Sequence, residues 1–186
     1  MAVQAPLRAP YPYPVPSPEG ARISVCAGFD LGSKFGWGLV DLGGRMVDSG
    51  VWDFSHRGRE SKTDPGARVL RAINMIGGSL QQWEARYRLA GVCYEIVRRH
   101  EGVQAAHVYG GLEWIVLAQC SRLSIDVSTA EVAALKIIAT SKGNSNKEAM
   151  VKAAGRRWGI DPRTADVADA LFAADMLRRR VTGAVL

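Results

Sequence analysis

The sequence predicts an α/β protein, built as a mixed five-stranded sheet with helices on both faces. Two observations lead to this prediction. Three strand-like segments come first, over residues 23–54, and helical and strand-like segments alternate after them. The first and fourth strand-like segments are almost wholly apolar, as expected for strands that are covered on both faces. Hairpin strands followed by alternating elements favour a mixed sheet between two layers of helices.

The strands are predicted from apolar runs that end at turn residues. They cover residues 23–30, 36–41, 45–54, 89–97 and 123–128. Gly43 and Gly44 separate the second and third strands, which predicts a tight hairpin there.

The helices are predicted from apolar residues spaced three or four apart. One face of the first helix collects Val69, Ile73, Ile76, Leu80 and Trp83. Further helices are predicted over residues 103–121, 130–138, 145–158 and 164–180. Ser145 precedes Glu148 by three residues, and this spacing predicts a capping box at the start of the helix over 145–158.

Composition indicates one globular domain with a polyanionic partner. The chain has 186 residues, of which 47% are hydrophobic, and it carries a net charge of +6. Six of its eight prolines lie in the first twenty residues. We therefore expect residues 1–21 to form an extended, flexible Pro-rich arm, and residues 22–186 to form the domain. The apolar runs are too short for a membrane span, which predicts no membrane association and a cytoplasmic location.

The cysteines and histidines show no metal-binding or disulfide pattern. Cys26, Cys93 and Cys120 are an odd number without paired spacing, so we expect reduced thiols, as in a cytosolic protein. The spacing of the three histidines does not suit zinc.

Four acids stand where apolar or small residues would be expected. Asp30 ends the first strand, and Glu95 lies late in the fourth. If these strands are parallel neighbours, both acids lie at the edge of the sheet where ligands of α/β proteins gather. Asp166 and Asp169 are three residues apart and project from one face of the last helix.

Each acid also has an ordinary explanation. Asp30 could cap the turn that follows it, and Glu95 could pair with Arg98 or Arg99. Asp166 could be a first-turn acid that the helix dipole favours. Four coincidences are less probable than one shared partner, because a buried carboxylate needs a hydrogen bond, an ion pair or a metal. Oxygen ligands without histidine or cysteine suit Mg²⁺ or Mn²⁺.

Four segments together resemble the motifs of RuvC-type Holliday-junction resolvases, including phage-borne relatives, which have an RNase H-like fold. The segments, in chain order, are GFDLGSKFGWGLVD, VCYEIV, ALKIIATSKGNSNKEAM and TADVADALFAAD. The first alone would be unspecific, since sugar-kinase and actin-like ATPases carry a similar turn. The combination of all four is specific.

The resemblance implies a metal-dependent endonuclease that resolves four-way DNA junctions and leaves 5′-phosphate and 3′-hydroxyl ends. It implies a site with two Mg²⁺ or Mn²⁺ ions held by Asp30, Glu95, Asp166 and Asp169. Lys136 and Lys147 correspond to the family's two lysines near the scissile phosphate. A symmetric homodimer is also implied, and the helix over 103–121 is a candidate for its contact.

Further basic and polar residues are candidates for contact with DNA. The candidates are Lys142, Asn144, Ser145, Lys152, Arg98 and Arg99, with Arg156, Arg157 and Arg163 as additional backbone contacts. Arg178, Arg179 and Arg180 have an ordinary interpretation as a basic helix end that faces solvent.

Several positions depart from the family pattern. Ser141 replaces a glycine, and Gly143-Asn144-Ser145 replaces the family's Gly-x-Ala. The segment VRRHEGV lacks the family's aromatic wedge after the fourth-strand acid. These departures keep open a broader nuclease that cuts forks and flaps.

Two functions of other classes are less well supported. An actin-like or sugar-kinase ATP-binding protein needs a second phosphate-binding turn and a second domain, and the sequence shows neither. Four acids argue against a DNA-binding protein without catalysis, because carboxylates repel DNA phosphates unless a metal is bound.

Overall fold

A five-stranded mixed sheet forms the centre of the protein, as predicted. The structure is a computed structural model that describes residues 22–55, 66–99, 102–160 and 165–184. The strands are β1 (Ser24–Asp30), β2 (Lys34–Asp41), β3 (Met46–Asp53), β4 (Arg88–Ile96) and β5 (Val127–Glu131). The helices are α1 (Ala67–Arg86), α2 (Val103–Arg122), α3 (Val132–Thr140), α4 (Lys147–Trp158) and α5 (Ala165–Thr182). The predicted Pro-rich arm lies outside the described residues.

The sheet has the order β3-β2-β1-β4-β5. Strands β1, β4 and β5 are parallel to one another, and β2 is antiparallel to both of its neighbours. The hairpin between β2 and β3 turns at Gly43 and Gly44, and Gly44 has a φ of 86°, a conformation that favours glycine. The C-terminal ends of β1 and β4 therefore lie side by side, at one edge of the sheet.

Two predicted boundaries were wrong. The fifth strand begins at Val127 rather than at residue 123, because Leu123 and Ile125 instead donate backbone hydrogen bonds to Cys120 O and close the end of α2. The second strand begins two residues before the predicted start, at Lys34, which pairs with Asp53 on β3.

Two helix details were also wrong. Val69 is exposed, and the buried face of α1 instead begins at Ala72. The cap of α4 is Asn146, whose side chain accepts a hydrogen bond of 3.0 Å from Ala149 N. Ser145 Oγ donates to Lys142 O instead, and Glu148 forms an ion pair with Lys152, so there is no capping box.

Helices cover both faces of the sheet. On one face, Phe29 packs with Phe35, Trp52 and Trp83 in an aromatic core under α1 and α2. On the other face, alternate strand residues pack against α3, α4 and α5. Cys26 and Cys93 belong to this second core, and burial raises the pKa of Cys26 to about 12, as expected for an inert thiol. The prediction of reduced cysteines is confirmed.

Three strand glycines let α5 lie directly on β1 and β2. A side chain at Gly28 would place its Cβ 1.9 Å from Ala170 O, and one at Gly36 would lie 2.1 Å from Asp166 O. Gly38 makes the same close approach to Leu171. Any larger residue would push the helix away from the sheet. These glycines therefore determine the distance between α5 and the sheet, and with it the position of the acids on α5.

Candidate active site

Asp30 and Glu95 lie side by side at the C-terminal edge of the sheet. β1 and β4 are parallel, and their pairing continues to Phe29 opposite Tyr94, one residue before each acid. Both carboxylates are half-buried between the two helical layers. The two acids that the strands contribute to the predicted site therefore lie next to each other.

Helix α5 brings two further acids to this edge. Gly36 on β2 is the pairing partner of Asp30, and it also touches the backbone of Asp166. Asp169 follows one turn later on the same side of α5. We call Asp30, Glu95, Asp166 and Asp169 the acidic cluster.

Burial and neighbouring negative charges raise the pKa of three acids in this cluster, Asp30, Glu95 and Asp169. Burial, reinforced by the charges of Asp169, Glu95 and Asp166, raises the pKa of Asp30 to about 8. Burial and the charge of Asp169 raise the pKa of Glu95 to about 7. Burial and the charge of Asp166 raise the pKa of Asp169 to about 6. Such increases in pKa are expected when carboxylates of like charge lie close together with little access to water.

Two lysines face the acidic cluster. Lys147, the first residue of α4, counteracts the pKa increase of Asp30, Glu95 and Asp169. Lys136, on α3, does the same for Glu95 and Asp169. The two lysines singled out from the sequence are thus near the four acids in space, although they come from two different helices.

The acidic cluster differs from the other buried acids in the described part of the chain. Asp41 is paired with Arg45 at 2.8 Å, and Asp175 is held by three arginines. Within the described residues, the side chains of the acidic cluster have neither hydrogen bonds nor ion pairs. A bound cation would supply the partner that they lack, and their oxygens are the ligands that Mg²⁺ and Mn²⁺ prefer.

The acidic cluster does not form a complete set of metal ligands. In the part of the chain that the structure describes, no three acidic, histidine or cysteine side chains are arranged as a ready set of metal ligands. Like charges separate when no cation lies between them. The donor chemistry of the four carboxylates fits a divalent cation, although the structure does not hold them in a ligand geometry.

The ordinary explanations fail for Asp30 and Glu95, whereas Asp166 does lie in the first turn of α5, where the helix dipole favours an acid. Glu95 does not pair with the arginines that follow it, because Arg98 forms an ion pair with Glu131 at the start of α3. Asp30 makes no capping hydrogen bond within the described residues. Both acids are left without a structural role of their own.

The candidate DNA contacts lie in three places. Lys142, Asn144 and Ser145 occupy the loop between α3 and α4, close to Lys147. Lys152 is exposed on α4, where it pairs with Glu148 at 2.8 Å. Arg98 and Arg99 follow β4 and are exposed.

Sequence reasoning missed one residue that contacts the site. Tyr109, on α2, donates a hydrogen bond of 3.0 Å from its hydroxyl to Glu95 O and accepts one of 3.4 Å from Val97 N. The hydroxyl thereby fixes the end of β4, from which the Glu95 carboxylate projects. An apolar helix with one tyrosine gives no sequence signal for such a contact.

Tyr109→Phe is expected to lower turnover about fivefold and to raise the metal concentration needed for half-maximal rate, since one hydrogen bond is worth roughly 1 kcal/mol. DNA affinity should not change. Tyr94→Phe is the matched control, because its hydroxyl bonds Glu113 at 2.8 Å and not the backbone of Glu95. Equal rates and metal dependence for both variants would show that Tyr109 only packs.

Known proteins similar to this chain were found by sequence and by structure, although no family model matches it. The crossover junction endodeoxyribonuclease RuvC of Pseudarthrobacter chlorophenolicus is 28% identical over 114 residues. The match covers 60% of this chain and 59% of that protein, so the chain spans about three fifths of the length of this relative.

Solved structures match over most of the chain. Thermus thermophilus RuvC in complex with Holliday junction substrate has a TM-score of 0.69 and 20% identity, over 88% of this chain and 95% of that one. A second Thermus thermophilus RuvC structure has a TM-score of 0.65 and 22% identity, over 86% and 97%. The yeast mitochondrial Holliday junction resolvase has a TM-score of 0.59 and 14% identity, over 87% and 79%.

The fold is of the RNase H-like class, with its acids gathered where β1, β4 and α5 meet. Within that class the chain resembles RuvC, in sequence and in fold, which confirms the resemblance predicted from the four motifs. None of the helices in the described ranges is long and apolar enough to cross a membrane.

Proposed function

We propose that this protein is a metal-dependent endonuclease that resolves four-way DNA junctions by hydrolysing two phosphodiester bonds. One observation supports this most strongly: four carboxylates without partners among the described residues meet at one edge of the sheet, and two lysines face them. The similarity to RuvC indicates the substrate. The enzyme works in the cytoplasm of a bacterial cell or phage-infected host and leaves 5′-phosphate and 3′-hydroxyl ends.

The acidic cluster holds two Mg²⁺ or Mn²⁺ ions in this proposal. Such ions, when bound, activate a water molecule and stabilise the charge that develops around phosphorus. Asp30 and Glu95 supply ligands from rigid strand ends, and Asp166 and Asp169 supply them from a helix fixed on the sheet by glycines. Rigid placement matters because misplaced ligands cost rate.

The lysines position the phosphate that is cut. Lys147 lies at the N-terminus of α4, where backbone N–H groups and the helix dipole favour an anion. The loop before it is fixed by side chains: Thr140 Oγ1 hydrogen-bonds Ser145 Oγ, and both hydroxyls contact Lys142 O. Ser141 adopts a left-handed conformation with a φ of 63°, so the chain makes the family's glycine turn with a serine.

Lys147→Ala is expected to slow cleavage by one to two powers of ten at saturating DNA, because a cation that faces the transferred phosphoryl group is lost. Affinity should fall much less, since one phosphate contact among many is removed. Arg86→Ala is the control, because Arg86 ends α1 on the other face of the sheet, where it lies against the Tyr87 ring. A Lys147→Ala enzyme with normal turnover and collapsed affinity would make Lys147 a DNA clamp only.

The active form is a symmetric dimer that places two sites on one junction. Helix α2 supplies the contact in this proposal. It exposes Trp114 and Val103, each about three quarters accessible at 74% and 73%, and Gly110 and Gly111 leave room for close approach by a second backbone.

Cleavage of a synthetic mobile junction tests the proposed function. Two symmetric incisions that depend on Mg²⁺ or Mn²⁺, with ligatable ends, are the expected result. Forks and 5′ flaps of the same sequence are tested in parallel. The segment after β4 lacks the family's aromatic wedge, and this departure favours a broader branched-DNA nuclease as the second candidate. Equal rates on forks and junctions would select that candidate. No cleavage of any branched DNA would reject both.

A further inference from the structure

A cleft of about 380 Å³ lies between α1 and α2, outside the acidic cluster. Its floor is apolar, because Phe54, Ala72 and Leu112 are buried there as part of the aromatic core. Its mouth is polar, since Gln104 and His107 are exposed. An apolar cleft of roughly 300–1,000 Å³ with a few polar groups is typical of sites that bind small molecules.

The cleft lies beside the candidate active site. Helix α1 follows β3 and α2 follows β4, and both strands end at the edge of the sheet that carries the acidic cluster. On the α1 wall, Arg68 donates a hydrogen bond of 3.2 Å to Ser33 Oγ, three residues after Asp30. On the α2 wall, the Tyr109 hydroxyl donates to Glu95 O. Each wall of the cleft is therefore hydrogen-bonded to the chain beside one of the two strand acids.

The lining of the cleft suits a ligand with an apolar body and a negative charge. No acid is among its described lining residues, and the half-buried Arg68 provides a positive charge. Burial and the charge of Arg71 lower the pKa of Arg68, so a negative group beside it is favoured. A nucleotide has this combination, since its flat base has donors and acceptors on the edge and a phosphate is attached. The Gln104 amide offers both a donor and an acceptor to such an edge.

We propose that this cleft binds one unpaired base of a branched DNA substrate, displaced from the branch point next to the cut strand. The inference rests on the proposed function and adds a site for a base, whereas the acids and lysines act on a phosphate. In a dimer with α2 as its contact, the cleft lies roughly 10 Å, one helix diameter, from the two-fold axis. The branch point of a symmetric junction lies on that axis, and stacking is interrupted there, so its bases unpair at low cost.

A second copy of the chain is the competing occupant of the cleft. Helix α2 exposes the large apolar side chain of Trp114, which is 74% accessible. The polar mouth and Arg68 favour the nucleotide, because an indole ring carries no charge and has a single hydrogen-bond donor.

The test compares two substitutions in the first turn of α1. Val69 lines the cleft and is 49% exposed, so Val69→Phe adds a ring that fills the mouth. Leu70 is 57% exposed and is not among the described lining residues, so Leu70→Phe is the matched control. Melting temperatures confirm folding. If Val69→Phe does not fold, Gln104→Ala takes its place, with the exposed Gln82→Ala on α1 as its control.

The DNA probes are four-way junctions with one mismatched nucleotide at the branch point, which carries either its base or an abasic site. No base pair has to open in either probe, so the two differ only in the base that the cleft would receive. Affinities are measured by anisotropy in EDTA over a range of salt. A 4-thiothymidine at the same position serves as a photo-cross-linking probe, and mass spectrometry identifies the peptide to which it is attached.

Wild type and Leu70→Phe are expected to bind the junction with the base about fivefold more tightly than the abasic junction, at the lower end of the range for one base held by a protein. This ratio should not change with salt, because the two probes have the same phosphates. Val69→Phe should lose the preference for the base. The cross-link should map to α1, to α2 or to the end of β3.

Equal affinity of wild type for both junctions overturns the inference, as does a ratio that Val69→Phe keeps, a ratio lost equally in both variants, or a cross-link elsewhere. If Val69→Phe, and not Leu70→Phe, changes the sedimentation of the protein without DNA, a second copy occupies the cleft and the inference is wrong. Duplexes with one bulged nucleotide, with and without its base, are measured alongside. A wild-type protein that cuts no junction would refute the proposed function, and the ratio on bulged duplexes would still decide this inference.

Discussion

Asp30→Asn is expected to reduce DNA cleavage by at least about 10³-fold, with junction binding retained. The amide keeps the size of the side chain but loses the charge that, in the proposed function, holds a divalent cation between β1, β4 and α5. The burial of Asp30 and its neighbouring acids raise its pKa to about 8, so a cation is needed to keep it ionised beside them at neutral pH. Cleavage is measured at saturating DNA across a range of Mg²⁺ and Mn²⁺ concentrations.

Asp53→Asn is the matched control for this variant. Asp53 ends β3 at the same edge of the sheet, but it is exposed and paired with Lys34 at 2.6 Å. It should cleave at close to the wild-type rate. In EDTA, binding by Asp30→Asn should equal that of wild type at neutral pH and become tighter above pH 8, where the wild-type Asp30 carboxyl, with its pKa of about 8, carries a negative charge near the phosphates. An Asp30→Asn protein that cuts as well as Asp53→Asn would remove Asp30 from the site.

The acidic cluster could be predicted because its members break the local pattern. Asp30 and Glu95 interrupt apolar strands, and a carboxylate in such a place needs a partner that the neighbouring residues do not offer. Asp166 and Asp169 share a helix face by spacing alone. Their proximity to Asp30 could not be derived from spacing, because it depends on the close approach of α5 to Gly28 and Gly36.

Contacts between residues far apart in the chain were beyond sequence reasoning. Tyr109 reaches the backbone of Glu95 from the next helix, and Arg157 reaches Asp175 across two helices. Nothing in the sequence distinguishes Asp175 from an ordinary polar residue of α5, yet it is the most deeply buried acid among the described residues. Such partners are set by packing, which periodicity does not encode.

Local competition explains the smaller errors. Ser145 and Asn146 are both good helix caps, and Asn146 takes the cap of α4 because the Ser145 hydroxyl already bonds Thr140 and Lys142. Val69 fits the helical period of α1, but it lies on the first turn, beyond the residues that contact the sheet. In both cases the sequence pattern allows two arrangements of the helix, and contacts with the rest of the fold select one of them.

Without metal, the protein is expected to lose stability as the pH rises from about 4 to about 8. Burial and mutual repulsion raise the pKa of Asp30 to about 8, of Glu95 to about 7 and of Asp169 to about 6 in the folded chain. The unfolded chain releases these protons near pH 4. Between these limits the folded state binds more protons than the unfolded state, so the free energy of unfolding decreases as pH increases. Melting curves in EDTA at pH 5.5 and 8 measure the difference.

Millimolar Mg²⁺ or Mn²⁺ should reverse this loss, and more strongly at pH 8 than at pH 5.5, because protons compete with the metal for the same oxygens. A cation present at 100 times its Kd adds about 2.7 kcal/mol, which raises the Tm by roughly 5–10 °C for a chain of this size. Asp169→Asn should melt higher than wild type in EDTA at pH 8, since one repulsive charge is removed, and should respond less to metal. Asp53→Asn should show neither effect. If Asp169→Asn is instead destabilised in EDTA and stabilised by metal as much as wild type, Asp169 supports the helix and does not bind the cation, and α5 contributes at most Asp166 to the site.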